Sequence, residues 1–250
     1  MLECKPGLVR INAFNAPVEA YQTTRHGGES EGAYASFNLG LHTGDNAAVV
    51  AKNRQRLTLL LNTPWVKFMQ QVHGAKVVTL TDQAAEVGEC DAVVTALDDV
   101  ALCVQTADCL PLLLADEKGV AIGAVHCGWR SLQAGIIAPA IQALKDLGAG
   151  EIIAWMGPAI GPQSFEVGPE VREAFVSVDE RAKRCFIPGK GDRYLADLYA
   201  LARLQLIAAG VRLLNAMCYD TFKEDDLFYS YRRAGVTGRM GSLILKRAGV

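Results

Sequence analysis

The chain has 250 residues, 50% of them apolar and 21% charged, which suits one sizeable buried core and excludes a disordered or fibrous protein. A formal net charge of −2 provides no sequence-wide basic field, so neither nucleic acid nor an anionic membrane is expected as a partner. No stretch approaches the roughly 18 apolar residues of a membrane span, and the start MLECKPGLVRINAFN lacks the apolar run of about 7–15 residues that a secretory signal needs.

Residues 23–46, TTRHGGESEGAYASFNLGLHTGDN, are rich in Gly, Ser, Thr and Asn and read as an irregular, turn-filled segment. Long ordered loops of this kind are more often functional than accidental. A helix is expected over 47–61, capped by Asp45 or Asn46. Short apolar runs at 65–70, 76–80, 92–95, 100–105, 110–114 and 120–126, separated by turn residues, predict strands. Apolar residues at 132, 136, 137, 141, 144 and 147 predict a helix over 131–147, with Gly148 at its C-cap. A strand is expected over 151–156. Pro169 opens a helix over 169–176, where its missing N–H would be unpaired in any case. An amphipathic helix over 194–209 should stop at Gly210, and a last strand should occupy 240–245. Clustered strands with interspersed helices point to an α+β or mixed α/β architecture. No repeat, low-complexity tract or linker divides the sequence, so a single domain over 1–250 is expected.

The seven cysteines are odd in number, and none forms a CxxC pair, which argues against a disulfide framework, a zinc ribbon or a thioredoxin motif. Free thiols in a reducing cytoplasm are expected.

Two of the four histidines stand at the ends of predicted strands beside glycine: His73 in Gln70-Gln71-Val72-His73-Gly74, and His126 in Ala124-Val125-His126-Cys127-Gly128-Trp129-Arg130. Between them lies Thr106-Ala107-Asp108-Cys109-Leu110-Pro111. A His₂Cys set fits a catalytic zinc site, which uses three protein ligands and keeps the fourth position open. The three residues are 36 and 17 positions apart, so they must come from separate strands and loops, and spacing alone is weak evidence. Read singly, each histidine is a hydrogen-bonded strand end and the cysteine a small hydrophobe.

The segments FMQQVHG (68–74), CDAVVT (90–95), TADCLPLLLAD (106–116) and GAVHCGWR (123–130) resemble the signatures of the YfiH family. That family has been labelled polyphenol oxidase or laccase domain, purine nucleoside phosphorylase, and peptidoglycan editing factor. The resemblance continues in order through TTRHGG (23–28), SFNLGLHTGD (36–45), GPAIGPQSFEVG (157–168) and FYSYRRAGVTGRMGS (228–242), and so covers nearly the whole chain. One departure is Cys218-Tyr219, where the family pattern has Cys-Thr; Thr221 follows shortly after. The resemblance implies an α+β YfiH-like fold, related to the toxin-type cysteine hydrolases, with packed mixed β-sheets flanked by helices. It also implies metal ligands at His73, Cys109 and His126.

The laccase label fits poorly. A type-1 copper with a trinuclear cluster needs about ten histidines, many in His-x-His pairs, whereas this chain has four histidines and no such pair. Copper remains a substitute for zinc in the same site. In a second reading Cys109 is a nucleophile with His126 or His73 as base; zinc on the sulfur would quench it. The reading the family favours is phosphorolysis of adenosine, inosine and methylthioadenosine, together with adenosine deamination. Zinc would serve deamination by lowering the pKa of water to about 7. A third reading, hydrolysis of serine-containing cell-wall precursors, would use the same zinc.

Phosphate needs an anion site. Arg130 before the expected helix, Arg25 among glycines, and Arg232 near the C-terminus are candidates, with a salt bridge or solvated turn as the plainer alternative for each. Gln71 shares a strand face with His73 and is a substrate-binding candidate. Asp108 is assigned an orienting or proton-transfer role, against the alternative of a turn cap. Trp129 is weighed as a purine stacker against a buried aromatic. His26 and His42 are expected to be structural or surface residues, Cys127 to face away from the metal, and the remaining five cysteines to be buried. The oligomeric state is left open.

Overall fold

Along the Val100–Thr106 strand, successive side chains enter two different cores. Ala101 and Cys103 pack with Leu57 and Leu61 of the Ala47–Leu61 helix, while Leu102 and Val104 pack with Leu113, Ala115 and Ala124. The period-2 alternation of a strand makes this division. The Leu110–Asp116 strand repeats it: Leu113 and Ala115 join the middle core, and Leu112 and Leu114 join a third core with Ile141, Leu144 and Leu206 of two helices. Strands clad on both faces are apolar throughout, which is why these runs stand out in the sequence.

The computed structural model describes residues 3–214 and 218–249 and, from residue 5, their side chains, so the Cys4 side chain lies outside the described residues. The two main sheets are six-stranded and mixed. The first runs Glu3–Lys5, Leu8–Ile11, Val18–Thr23, Met240–Lys246, Val100–Thr106, Trp65–Phe68; the second runs Arg212–Leu213, Ile152–Met156, Leu110–Asp116, Ile122–Cys127, Ala92–Thr95, Val77–Leu80. They face each other across the middle core, with helices on the outer faces. A small antiparallel sheet of Glu166–Val167, Tyr194–Ala196 and Phe186–Pro188 completes the arrangement. The α+β expectation of packed mixed sheets flanked by helices describes this architecture.

Two expected helices are different in the structure. The 131–147 run is two helices, Trp129–Gln133 and Ile137–Asp146, broken at Gly135 with φ +76°. Pro139 explains the break: within one continuous helix it would forfeit a bond to residue 135, but in the first turn of a new helix its missing N–H costs nothing. The 194–209 run is a helix only over Leu198–Ala208, because the Asp197 carboxylate caps the Ala200 N–H, and Tyr194–Ala196 is the central strand of the small sheet. The other strands and helices agree within about two residues at most ends, and Asn46 is the cap of Ala47–Leu61, its side chain accepting from Ala48 N.

Candidate metal centre

The chain crosses from the first sheet to the second between Phe68 and Val77 and again between Thr106 and Leu110. His73 lies on the first crossing and Cys109 on the second. His126 ends the Ile122–Cys127 strand, paired with Pro111 beside the second crossing. The tight crossings leave His73 at φ +60° and Asp108 at φ +93°, a backbone state that costs a non-glycine residue about 1–3 kcal/mol. Hydrogen bonds hold both in place. Asp91 accepts the His73 N–H at 2.9 Å; Asp108 accepts from Thr221 Oγ1 at 2.7 Å and from Arg232 N at 2.6 Å.

The crossings bring one donor atom from each of His73, Cys109 and His126 to within 4.8 Å of one another, the one such cluster among the described residues. Cys109 Sγ is 4.0 Å from His73 Nε2, near the ~3.6 Å that a Zn–S and a Zn–N bond span at the tetrahedral angle. The two imidazoles stand nearly perpendicular, at 85°. Gly128 completes the cradle: a Cβ there would lie 3.1 Å from His73 Cδ2, 3.2 Å from Cys109 Sγ and 3.4 Å from His126 Cε1. Two imidazole nitrogens and a thiolate around one point, with an open fourth side, fit a zinc-type metal ion.

Asp91, unassigned by sequence reasoning, supports the cluster. It is fully buried and accepts from His126 Nδ1 at 2.8 Å and from Gly74 N at 2.7 Å, so one carboxylate orients two ligand-bearing segments and leaves His126 Nε2 for the metal. Burial alone would raise its carboxyl, but the His126 and backbone hydrogen bonds hold it below the usual range. The signal was an acid heading a buried apolar strand, Cys90-Asp91-Ala92-Val93-Val94, where an unpaired carboxylate would be costly.

Without metal, burial opposes ionisation of Cys109, but the charge and hydrogen bonds of His126 and His73 outweigh it and bring the thiol down to about 6. Burial likewise opposes protonation of His126, yet Cys109 and Asp91 carry its pKa upward. These opposing directions favour a thiolate beside an imidazolium, a pair suited to nucleophilic attack, and one that must release the His126 Nε2 proton to bind a metal. Burial pushes the neighbouring thiols the other way, Cys103 up to about 12.

The cluster opens into a pocket of about 330 Å³. Of the predicted substrate residues, Gln71 lines it, held by two 2.8 Å bonds between its amide and the Gln105 backbone. Arg25, Arg130 and Arg232 are not among its lining residues. The Arg25 guanidinium ties Ala35 O to Asp225 O and lies over Tyr229, joining the 23–46 segment to the C-terminal region. Arg130 is exposed over the ring of Trp129, and Arg232 donates to Glu166 O. The carboxylate of Asp108 is engaged by Thr221 and by Arg232 N, which makes it a latch between the crossing and the C-terminal segment. Trp129 packs against the helix-side core. Arg233 braces Thr221, Phe222 and Phe228 carbonyls.

His42 is exposed, in keeping with a surface histidine, and it also lines the pocket with Tyr231 and Arg239. His26 is structural, its ring bonded to Asp226 O. Cys127 belongs to the helix-side core, and Cys90, Cys103 and Cys185 are buried. Cys218 departs from the buried expectation and is exposed.

A family model for the multi-copper polyphenol oxidoreductase laccase matches residues 19–247. Purine nucleoside phosphorylase YfiH of Escherichia coli (strain K12) is 44% identical over 228 residues, 91% of this chain and 93% of that protein. Purine nucleoside phosphorylase PA4543 of Pseudomonas aeruginosa is 43% identical over 230 residues, covering 92% and 93%. Among solved structures, Neisseria meningitidis protein NMB0706 superposes with a TM-score of 0.92 at 39% identity, over 97% of this chain and 100% of that one. Bacillus licheniformis hypothetical protein YfiH gives 0.91 at 28% identity over 98% of each. With such agreement along almost its full length, the chain belongs to the YfiH family, whose model carries the laccase description.

Proposed function

We propose that this chain is a zinc-dependent purine nucleoside phosphorylase that also deaminates adenosine, with His73, Cys109 and His126 as the metal ligands. The observation that carries the reading is the His–Cys–His cluster opening into a substrate-sized pocket, in a chain whose relatives are named purine nucleoside phosphorylases. Four histidines, with His26 bonded to Asp226 O, provide no ligands for a trinuclear copper cluster. Six unpaired cysteines among the described residues accord with a cytoplasmic enzyme, and no helix among them is long and apolar enough to cross a membrane. We take residues 1–250 as one catalytic domain.

Held by His73, Cys109 and His126, zinc would supply Lewis acidity, as in lowering the pKa of a water for deamination. The chain's own groups do the positioning. Asp91 fixes the His126 tautomer by accepting from Nδ1, and the Gln105 backbone fixes the Gln71 amide at the pocket wall. Tyr231 places an exposed ring at the pocket for a purine. In phosphorolysis a phosphate oxygen bonds to ribose C1′ as the C1′–N9 bond breaks. Its electron pair leaves with the purine, which takes up a proton, giving free base and ribose 1-phosphate.

A second reading has a specific observation behind it: without metal, Cys109 and His126 make a nucleophile and base. Chromatography of adenosine reactions separates the two. Zinc-loaded protein should release adenine only when phosphate is present and inosine in either case, and replacing Cys109 or His126 with Ala should abolish both products. Adenosine left unchanged by zinc-loaded protein would contradict the nucleoside reading.

A further inference from the structure

Arg239 is a partly buried cation with no carboxylate within 4.0 Å among the described residues. Its side-chain hydrogen bonds use Nη1 alone, which donates to Thr237 O and Gly238 O at 3.0 Å each, and the guanidinium lies 5.9 Å from the centre of the Tyr231 ring, which leaves Nε and Nη2 free to donate. Its position is firmly built. The Arg239 N–H donates to Asn38 Oδ1 and its carbonyl accepts from Leu39 N. The Asn38 amide in turn donates to Thr43 Oγ1 and Asp45 Oδ2, closing the 38–45 loop around the arginine. Gly40 makes room for the side chain, since a Cβ there would lie 2.8 Å from Arg239 Cγ.

The same loop carries His42, and both side chains line the pocket that holds His73, Cys109 and His126. Burial and the Arg239 and Arg54 charges push the His42 pKa down, which places two cations within its electrostatic reach. Arg54 is itself held by Leu39 O. Two anionic groups act on Arg239 from a distance: Cys109, which a divalent metal would more than neutralise, and Asp108, whose oxygens already accept from Thr221 Oγ1 and Arg232 N. A desolvated cation that is rigidly held, has no carboxylate in contact and faces a metal site favours an anion from solution.

We propose that Arg239, with His42 beside it, is the binding subsite for the inorganic phosphate co-substrate, facing the metal ligands across the pocket. This rests on the nucleoside phosphorylase reading for the reaction, but not for the binding. It assigns the anion site to the 38–45 loop and the Gly238-Arg239 turn, in place of Arg25, Arg130 and Arg232. A neutral nucleoside could accept hydrogen bonds from Arg239 but gains little from its charge, whereas a tetrahedral dianion can take two of its free donors and the charge at once.

The test pairs titration calorimetry of inorganic phosphate with initial-rate kinetics, on the wild-type protein and on Arg239→Gln, Arg239→Lys and His42→Gln. Arg239→Gln should weaken phosphate binding and raise the phosphate KM by roughly 10- to 100-fold, the size of one or two charge-assisted hydrogen bonds. The nucleoside KM should move much less, and Arg239→Lys should recover part of the loss. His42→Gln, in an exposed loop position, guards against a folding defect in the arginine variants and should weaken phosphate several-fold. Phosphate affinity unchanged in both Arg239→Gln and His42→Gln, with nucleoside turnover intact, would overturn the subsite and leave the nucleoside reading standing. Phosphate binding that is lost in Arg239→Gln, in a protein that turns over no nucleoside, would uphold the subsite and overturn that reading instead.

Discussion

At the scale of single residues, the centre depends on one missing methyl group. Gly128 has an ordinary negative φ, so its role is steric: an added Cβ would press on all three ligand side chains at 3.1–3.4 Å. Gly128→Ala should therefore fold normally by circular dichroism yet bind zinc at least tenfold more weakly in chelator competition. Unchanged affinity would remove Gly128 from the cradle. Cys109 offers a second residue-level check. Its thiol is held down to about 6 while burial raises those of Cys90, Cys103 and Cys127. In metal-stripped protein carrying Cys218→Ser, iodoacetamide should modify Cys109 rapidly at neutral pH. The rate should fall as pH drops through about 6, where the thiolate becomes a thiol, and zinc should protect it. A midpoint in the ordinary thiol range would contradict the thiolate–imidazolium pair. The three residues of the cluster could be picked out in sequence because each sits in a distinctive motif. Asp91 and Arg239 were not, since their importance comes from partners 35 and 201 positions away, His126 and Asn38.

At the scale of elements, the site is made by chain crossings and by one carboxylate that ties them together. Asp91 immediately precedes the Ala92–Thr95 strand and reaches both the His73-Gly74 turn and His126. Asp91→Asn keeps the size but cannot accept from all these donors as an anion. Zinc affinity should fall about 10- to 100-fold, as for other groups that orient metal ligands, and a loss smaller than threefold would show that the ligands hold their positions without it. Element types were readable where burial on both faces made strands continuously apolar. They were misread where local chemistry overrode periodicity: Pro139 with Gly135 split one helix, and Asp197 delayed another. The Leu8–Ile11 and Val18–Thr23 strands carried no strong apolar run, and their place follows from pairing with each other and with Met240–Lys246 near the other end of the chain.

At the scale of the molecule, the three residues occupy the seam where the chain passes between two sheets, so a bound metal would add a direct link between segments from 73 to 126 that Asp91 and strand pairing already hold together. Metal present at a hundred times its dissociation constant adds about 2.7 kcal/mol to stability. For a chain of this length that corresponds to roughly 5–10 °C in Tm. Chelation should lower the melting temperature by that amount in the wild type and leave Cys109→Ala unmoved; an equal drop in both would place the stabilising ion elsewhere. The central claim is that His73, Cys109 and His126 hold zinc and that turnover depends on it. The most direct test is elemental analysis of the purified protein and of its His126→Ala variant, alongside adenosine turnover. The account predicts about one zinc per wild-type chain, and neither zinc nor turnover in the variant. A metal-free wild type that turns over adenosine fully would contradict it.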